Sequence, residues 1–87
     1  MEDLLKEIRQ AGQYVQTAQD LAGSERLEQA RQKLLQVEDV IRQYRERGDL
    51  SLQEKEILEG AHQELEGYHK KMKQIEAMHN PVGFHQY

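Results

Sequence analysis

Residues 27–44 read LEQARQKLLQVEDVIRQY, with apolar side chains at alternating intervals of three and four positions. Residues 58–75, LEGAHQELEGYHKKMKQI, repeat that spacing. On an α-helix this spacing gathers the apolar residues into one stripe, which is stable only against another helix. The two stripes are Leu27, Ala30, Leu34, Val37, Ile41 and Tyr44, and Leu58, Ala61, Leu65, Tyr68, Met72 and Ile75. The pattern predicts a helical hairpin with coiled-coil-like heptad packing.

A third stripe precedes the hairpin, and it consists of Leu4, Ile8, Ala11, Val15 and Ala18. Leu27 lies nine positions after Ala18, which breaks the alternation of three and four, so one continuous helix would put the two stripes out of line. Gly23 is expected to stop the first helix and Ser24 to cap the second. The sequence therefore predicts an all-α, up-down-up three-helix bundle, with a long hairpin as the alternative if the helix continues through Gly23.

The predicted helices cover about residues 2–21, 25–47 and 52–79. Gly48 is expected to cap the second helix in a left-handed conformation. Ser51 and Glu54 have the spacing of a capping box, in which each side chain accepts a hydrogen bond from the other residue's backbone N–H. Pro81 disfavours helix at the residue before it. Residues 1–79 are thus predicted to form a single domain, and residues 80–87 a flexible tail.

The composition is polar for a folded domain. The chain has 87 residues, of which 37% are hydrophobic, and its mean hydropathy is −0.97. A core this small supplies little stability on its own, so further burial through self-association is expected. We expect a symmetric homodimer in which two hairpins form a four-helix core and both copies of the first helix pack outside.

Charge and residue usage argue against several classes of function. The formal net charge is −4, whereas nucleic-acid binding needs a basic face, and there is no cysteine for disulfides or thiol chemistry. Neither a signal peptide nor a membrane-spanning stretch is predicted. We therefore expect a cytoplasmic protein with no nucleic-acid or membrane partner. Its composition, though no motif, resembles that of small helical bacterial proteins.

One face of the third helix carries the spacing of metal ligands. Glu59, His62, Glu66 and His69 form two Glu-x-x-His pairs. Di-iron bundles use this element, but they take one copy from each of two helices and further glutamates from two others. We interpret these residues as solvated polar side chains and predict neither metal nor cofactor. His62, Glu66 and His69 remain the candidates if a metal is bound.

No pattern of catalytic residues is recognisable. Both serines, Ser24 and Ser51, fall at predicted helix caps, and the glycines form no phosphate-binding loop. We therefore predict that the protein is not an enzyme.

Four residues are candidates for protein contact. Gly60 and Gly67 lie seven apart on the third helix, where small residues allow close approach of the first helix or of a second copy. The alternative is that they are tolerated on a solvent face. In the tail, Phe84 and Tyr87 could dock on a partner, or Phe84 could fold back onto the bundle.

The main functional hypothesis is a non-catalytic protein–protein interaction module, an adaptor or regulator with an unidentified protein partner. The two alternatives are a metal-binding protein using the Glu59/His62/Glu66/His69 face and a nucleic-acid-associated regulator.

Overall fold

The computed structural model describes residues 1–21 and 23–79. These residues form three α-helices: α1 at Glu2–Leu21, α2 at Ser24–Arg45 and α3 at Leu52–His79. No β-strand occurs among them. The helices pack on one another in a body of 50 × 25 × 15 Å. The predicted all-α three-helix fold is confirmed, and the long hairpin is not formed. The predicted flexible tail, with Phe84 and Tyr87, lies outside the described residues.

Polar pairs between helices define the up-down-up topology. Glu7 and Asp3 of α1 contact Lys33 and Tyr44 of α2, so contacts nearer the start of α1 fall nearer the end of α2. The α2–α3 pairs run the same way, because Arg31, Glu38 and Arg45 meet Glu76, His69 and Glu59 in turn. Both neighbouring pairs are therefore antiparallel, and α1 runs parallel to α3.

The core consists of the predicted apolar stripes. Fifteen apolar side chains are buried, and no buried polar or charged residue accompanies them in the described part of the chain. They are Leu4, Ile8, Ala11, Val15 and Ala18 from α1, Leu27, Ala30, Leu34, Val37 and Ile41 from α2, and Leu58, Ala61, Leu65, Met72 and Ile75 from α3. Tyr44 and Tyr68 are only partly buried, since their hydroxyls reach carboxylates at the surface.

This burial bears on the predicted dimer. The stripes of α2 and α3 are already covered within a single chain, because α1 packs against both helices. Among the described residues, the hairpin seam therefore offers little open apolar surface for a shared four-helix core. The homodimer itself stays a prediction.

The helix ends differ in part from the predictions. The capping box is confirmed: the Ser51 N–H donates to Glu54 Oε1 at 2.9 Å, and the Glu54 N–H donates to Ser51 Oγ at 3.1 Å. The prediction that Ser24 caps α2 is wrong, because Gly23 occupies the N-cap position. The Gly23 backbone is extended, and no side chain forms a capping hydrogen bond there. Gly48 is not left-handed. Instead α2 ends at Arg45, with Glu46 as a right-handed cap, and the N–H groups of Glu46 and Arg47 close the last turn.

Candidate functional site

An apolar groove lies between the parallel helices α1 and α3. It has a volume of about 580 Å³. Its lining is Leu5, Ile8, Arg9, Gly12, Gln13, Val15 and Gln16 from α1, with Glu64, Tyr68 and Lys71 from α3. Leu5 remains 41% exposed although its neighbour Leu4 is fully buried. We call this concavity the α1–α3 groove.

The floor of the α1–α3 groove depends on a glycine. A Cβ atom built on Gly12 would lie 2.6 Å from the Tyr68 hydroxyl oxygen and 3.0 Å from Cζ of that ring. Tyr68 therefore lies against α1 where α1 has no side chain. Its hydroxyl donates a hydrogen bond to Glu64 Oε2 at 2.8 Å. The contact sets how deeply an aromatic ring enters between the two helices.

Partial burial and the Glu64 carboxylate together raise the pKa of Tyr68 from 10.0 to about 12, with burial the larger cause. The neutral phenol is thus favoured by the folded chain. In the unfolded chain the Tyr68 phenol ionises at a lower pH than in the folded chain. The stability that the raised pKa contributes is therefore fully present below pH 10 and is lost as the pH rises through about 12.

We therefore expect the free energy of unfolding of the natural protein to fall between about pH 10 and 12 by more than that of Tyr68→Phe, which has no phenol to ionise there. Urea titrations of both proteins across this range measure the difference. Parallel profiles would contradict a raised pKa at Tyr68.

A second, more polar groove runs between α1 and α2 on the other side of α1. It is lined by Gln13, Tyr14, Thr17, Arg26, Gln29, Gln32, Lys33 and Gln36. The Lys33 ammonium lies 2.6 Å from Glu7 Oε1 and 2.8 Å from Gln10 Oε1, and 6.0 Å from the centre of the Tyr14 ring. Only 11% of the Lys33 side chain is exposed. Through these contacts the Lys33 ammonium of α2 links α2 to α1.

The four residues with metal-ligand spacing do not converge. His62 Nε2 lies 3.8 Å from Glu66 Oε1, whereas His69 Nε2 lies 3.1 Å from Glu38 of α2 and Glu59 lies 3.7 Å from Arg45. In the part of the chain that the structure describes, no group of three or more histidines and acidic residues could hold a metal ion. His62 and Glu66 therefore pair with each other, whereas His69 pairs with Glu38 of α2.

The cations at the end of α2 are each matched by a carboxylate. Arg42 pairs with Asp39, Arg45 with Glu59, and Arg47 with Asp49. The Asp49 carboxylate raises the pKa of Arg47, and Arg47 lowers the pKa of Asp49. A face neutralised in this way offers few cations to a phosphate backbone.

Gly60 and Gly67 do not contact α1. A Cβ atom at either position would meet nothing within 4 Å, so the expected approach of the first helix to these glycines is wrong. Gly12 is the close-approach glycine, and the periodicity did not single it out. In the sequence, the one indication of this contact is that Gly12 directly follows Ala11, which is buried. Contact of Gly60 and Gly67 with a second copy stays a prediction.

Comparison with known protein families, curated proteins and solved structures finds no match to this chain. None of the three helices, over the residues described, combines the length and apolar character needed to cross a membrane.

Proposed function

We propose that this chain is a non-catalytic protein–protein interaction module, an adaptor or regulator of the cytoplasm, that receives its protein partner in the α1–α3 groove. The single observation that carries the proposal is the exposed apolar side chain of Leu5 in a groove of about 580 Å³. Apolar surface in a concave site with a charged rim is typical of a contact surface. Arg9, Lys71 and Glu64 supply that rim.

The chemistry of the groove favours recognition over reaction. Its titratable groups, Arg9, Glu64, Tyr68 and Lys71, include no histidine or cysteine. The Tyr68 pKa is shifted away from neutrality, whereas general acid–base catalysis needs a pKa near the working pH. We further propose that the three stripes pack in the coiled-coil manner and that the module self-associates as a homodimer.

A matched pair of substitutions tests the groove. Leu5→Arg places a charge in it, whereas Leu35→Arg makes the same change at a leucine that is 57% exposed on α2 and does not line it. The immobilised natural protein and Leu35→Arg should capture the same partner from an extract of the source organism. Leu5→Arg should lose that partner while keeping its helical circular dichroism. If both variants captured the partner equally well, the α1–α3 groove would not be the contact surface.

A further inference from the structure

The polar groove between α1 and α2, which we call the α1–α2 groove, differs in charge from the chain as a whole. It has a volume of about 510 Å³. Two basic residues, Arg26 and Lys33, line it, and no acidic residue of the described chain does. The whole chain, in contrast, carries a net charge of −4. The α1–α2 groove is therefore a local cationic site on an acidic protein.

One of the two cations in the α1–α2 groove has no counter-charge. Lys33 Nζ lies 2.6 Å from Glu7 Oε1, so its charge is offset within the bundle. Arg26 is exposed and, among the described residues, pairs with no carboxylate. Most of the other arginines do form such pairs, namely Arg31, Arg42, Arg45 and Arg47. The Arg26 guanidinium is thus available to an anion from outside the chain.

The α1–α2 groove also presents a row of primary amides. Gln29, Gln32 and Gln36 follow Arg26 along one side of α2 at intervals of three and four. Gln13 of α1 lies across the groove from this row. A primary amide both donates and accepts hydrogen bonds, and a peptide backbone needs partners of both kinds.

Most of these amides are not used within the chain. Gln32 Nε2 donates to Glu28 Oε2 at 3.3 Å. Gln13, Gln29 and Gln36 make no side-chain hydrogen bond to another described residue, and all three are exposed. Three amides can therefore bond a ligand without breaking a bond of the folded chain.

Tyr14 gives the α1–α2 groove an aromatic wall. Its side chain is 43% exposed, although the Lys33 ammonium lies 6.0 Å from the ring centre. Tyrosine is a frequent anchor of protein contacts, because its rigid ring supplies a large contact area at a low cost in conformational entropy. An apolar side chain of a ligand can pack against this ring.

The length of the α1–α2 groove suits a short extended peptide. Gln36 lies ten positions after Arg26, which corresponds to about 15 Å along α2. An extended chain advances about 3.3 Å per residue, so about five residues span this distance. A carboxylate at one end of such a segment would meet Arg26, whose fork of N–H groups matches the two oxygens of a carboxylate.

We propose that the α1–α2 groove binds an extended peptide segment with an acidic residue, whose carboxylate pairs with Arg26 while its backbone bonds the glutamine amides. An apolar side chain of the segment packs on Tyr14. The α1–α2 groove lies on the other side of α1 from the α1–α3 groove, and of their lining residues only Gln13 borders both. The inference thus goes beyond the proposed function and does not depend on it.

Peptide titration followed by nuclear magnetic resonance of the isotope-labelled protein tests the site. The probe is a pentapeptide with blocked ends that contains one glutamate, one leucine and three alanines. Its control has glutamine in place of the glutamate. The glutamate peptide should shift the side-chain amide signals of Gln29 and Gln36 with a Kd of about 1 mM. The glutamine peptide should bind about tenfold more weakly, because it cannot form the charge-assisted hydrogen bonds.

Two matched substitutions locate the carboxylate. Arg26→Gln should weaken binding of the glutamate peptide about tenfold and remove the preference over the glutamine peptide. Lys73→Gln makes the same charge change at an exposed residue of α3 that lines neither groove, so it should bind like the natural protein. Both variants should keep their helical circular dichroism, because both residues are exposed.

Several results would overturn the proposal. These are equal affinity for the two peptides, unchanged binding by Arg26→Gln, and the absence of shifts in the glutamine amides of the groove up to about 10 mM peptide. Free glutarate, a small dicarboxylate without a peptide backbone, provides a further comparison. If glutarate bound as tightly as the glutamate peptide, the α1–α2 groove would hold a small anion and not a peptide.

Discussion

Replacing Leu34 by alanine is expected to lower the free energy of unfolding by about 2–5 kcal/mol. Leu34 is 1% exposed on α2 and belongs to the single core that all three helices share. Truncation removes its transfer free energy and leaves a cavity, because an up-down-up bundle of this size has few other side chains with which to fill the space. Leu65→Ala, at 2% exposure on α3, should behave alike.

The adjacent Leu35 offers a matched control. It is 57% exposed, so Leu35→Ala is expected to change the free energy of unfolding by no more than about 0.5 kcal/mol. Urea denaturation followed by circular dichroism measures all three variants. If Leu34→Ala and Leu65→Ala both fell within the range of Leu35→Ala, the heptad positions would not form the core.

Replacing Gly12 by leucine is expected to lower the free energy of unfolding by about 1–3 kcal/mol, as overpacking of a well-filled site does. The first added carbon would lie 2.6 Å from the Tyr68 hydroxyl oxygen, so the ring must leave its place against α1. In the background of Tyr68→Ala the same replacement should cost less, since the ring is no longer there to displace.

Replacing Gly60 by leucine should instead raise the free energy of unfolding. No atom lies within 4 Å of the added Cβ, so leucine gains helix propensity of up to about 1 kcal/mol. Both variants are compared with the natural protein by denaturation at the lowest usable concentration, with repeats at higher concentration to separate self-association from folding. Destabilisation of equal size at both positions would contradict the difference in packing between Gly12 and Gly60.

The core could be predicted from the sequence because the apolar period is a local property. Ala11, Ala18 and Ala30 are small and only weakly hydrophobic, yet their heptad positions identified them as buried, and they are. The capping box is local in the same way, since Ser51 and Glu54 are three residues apart. The predictions at Ser24 and Gly48 were wrong because several backbone geometries satisfy a helix end, and residue type alone does not choose among them.

The contacts of the candidate site could not be predicted, because they depend on the position of α1 along the hairpin. Lys33 meets Glu7 and Gln10 across more than twenty residues of sequence, and Gly12 meets Tyr68 across more than fifty. Periodicity states which side of each helix faces inward, but it does not state how far one helix is shifted along another. That shift decides which polar residues border the α1–α3 groove.

The dimensions of the bundle affect how its size should be measured in solution. The radius of gyration is 15.0 Å, against about 12 Å for a compact domain of this length. An elongated particle experiences more frictional drag and elutes earlier from a sizing column than a sphere of equal mass. A single chain of 10.2 kDa would therefore resemble a larger species when calibrated against globular standards. Only methods that report mass itself, independent of shape, count the chains in the particle.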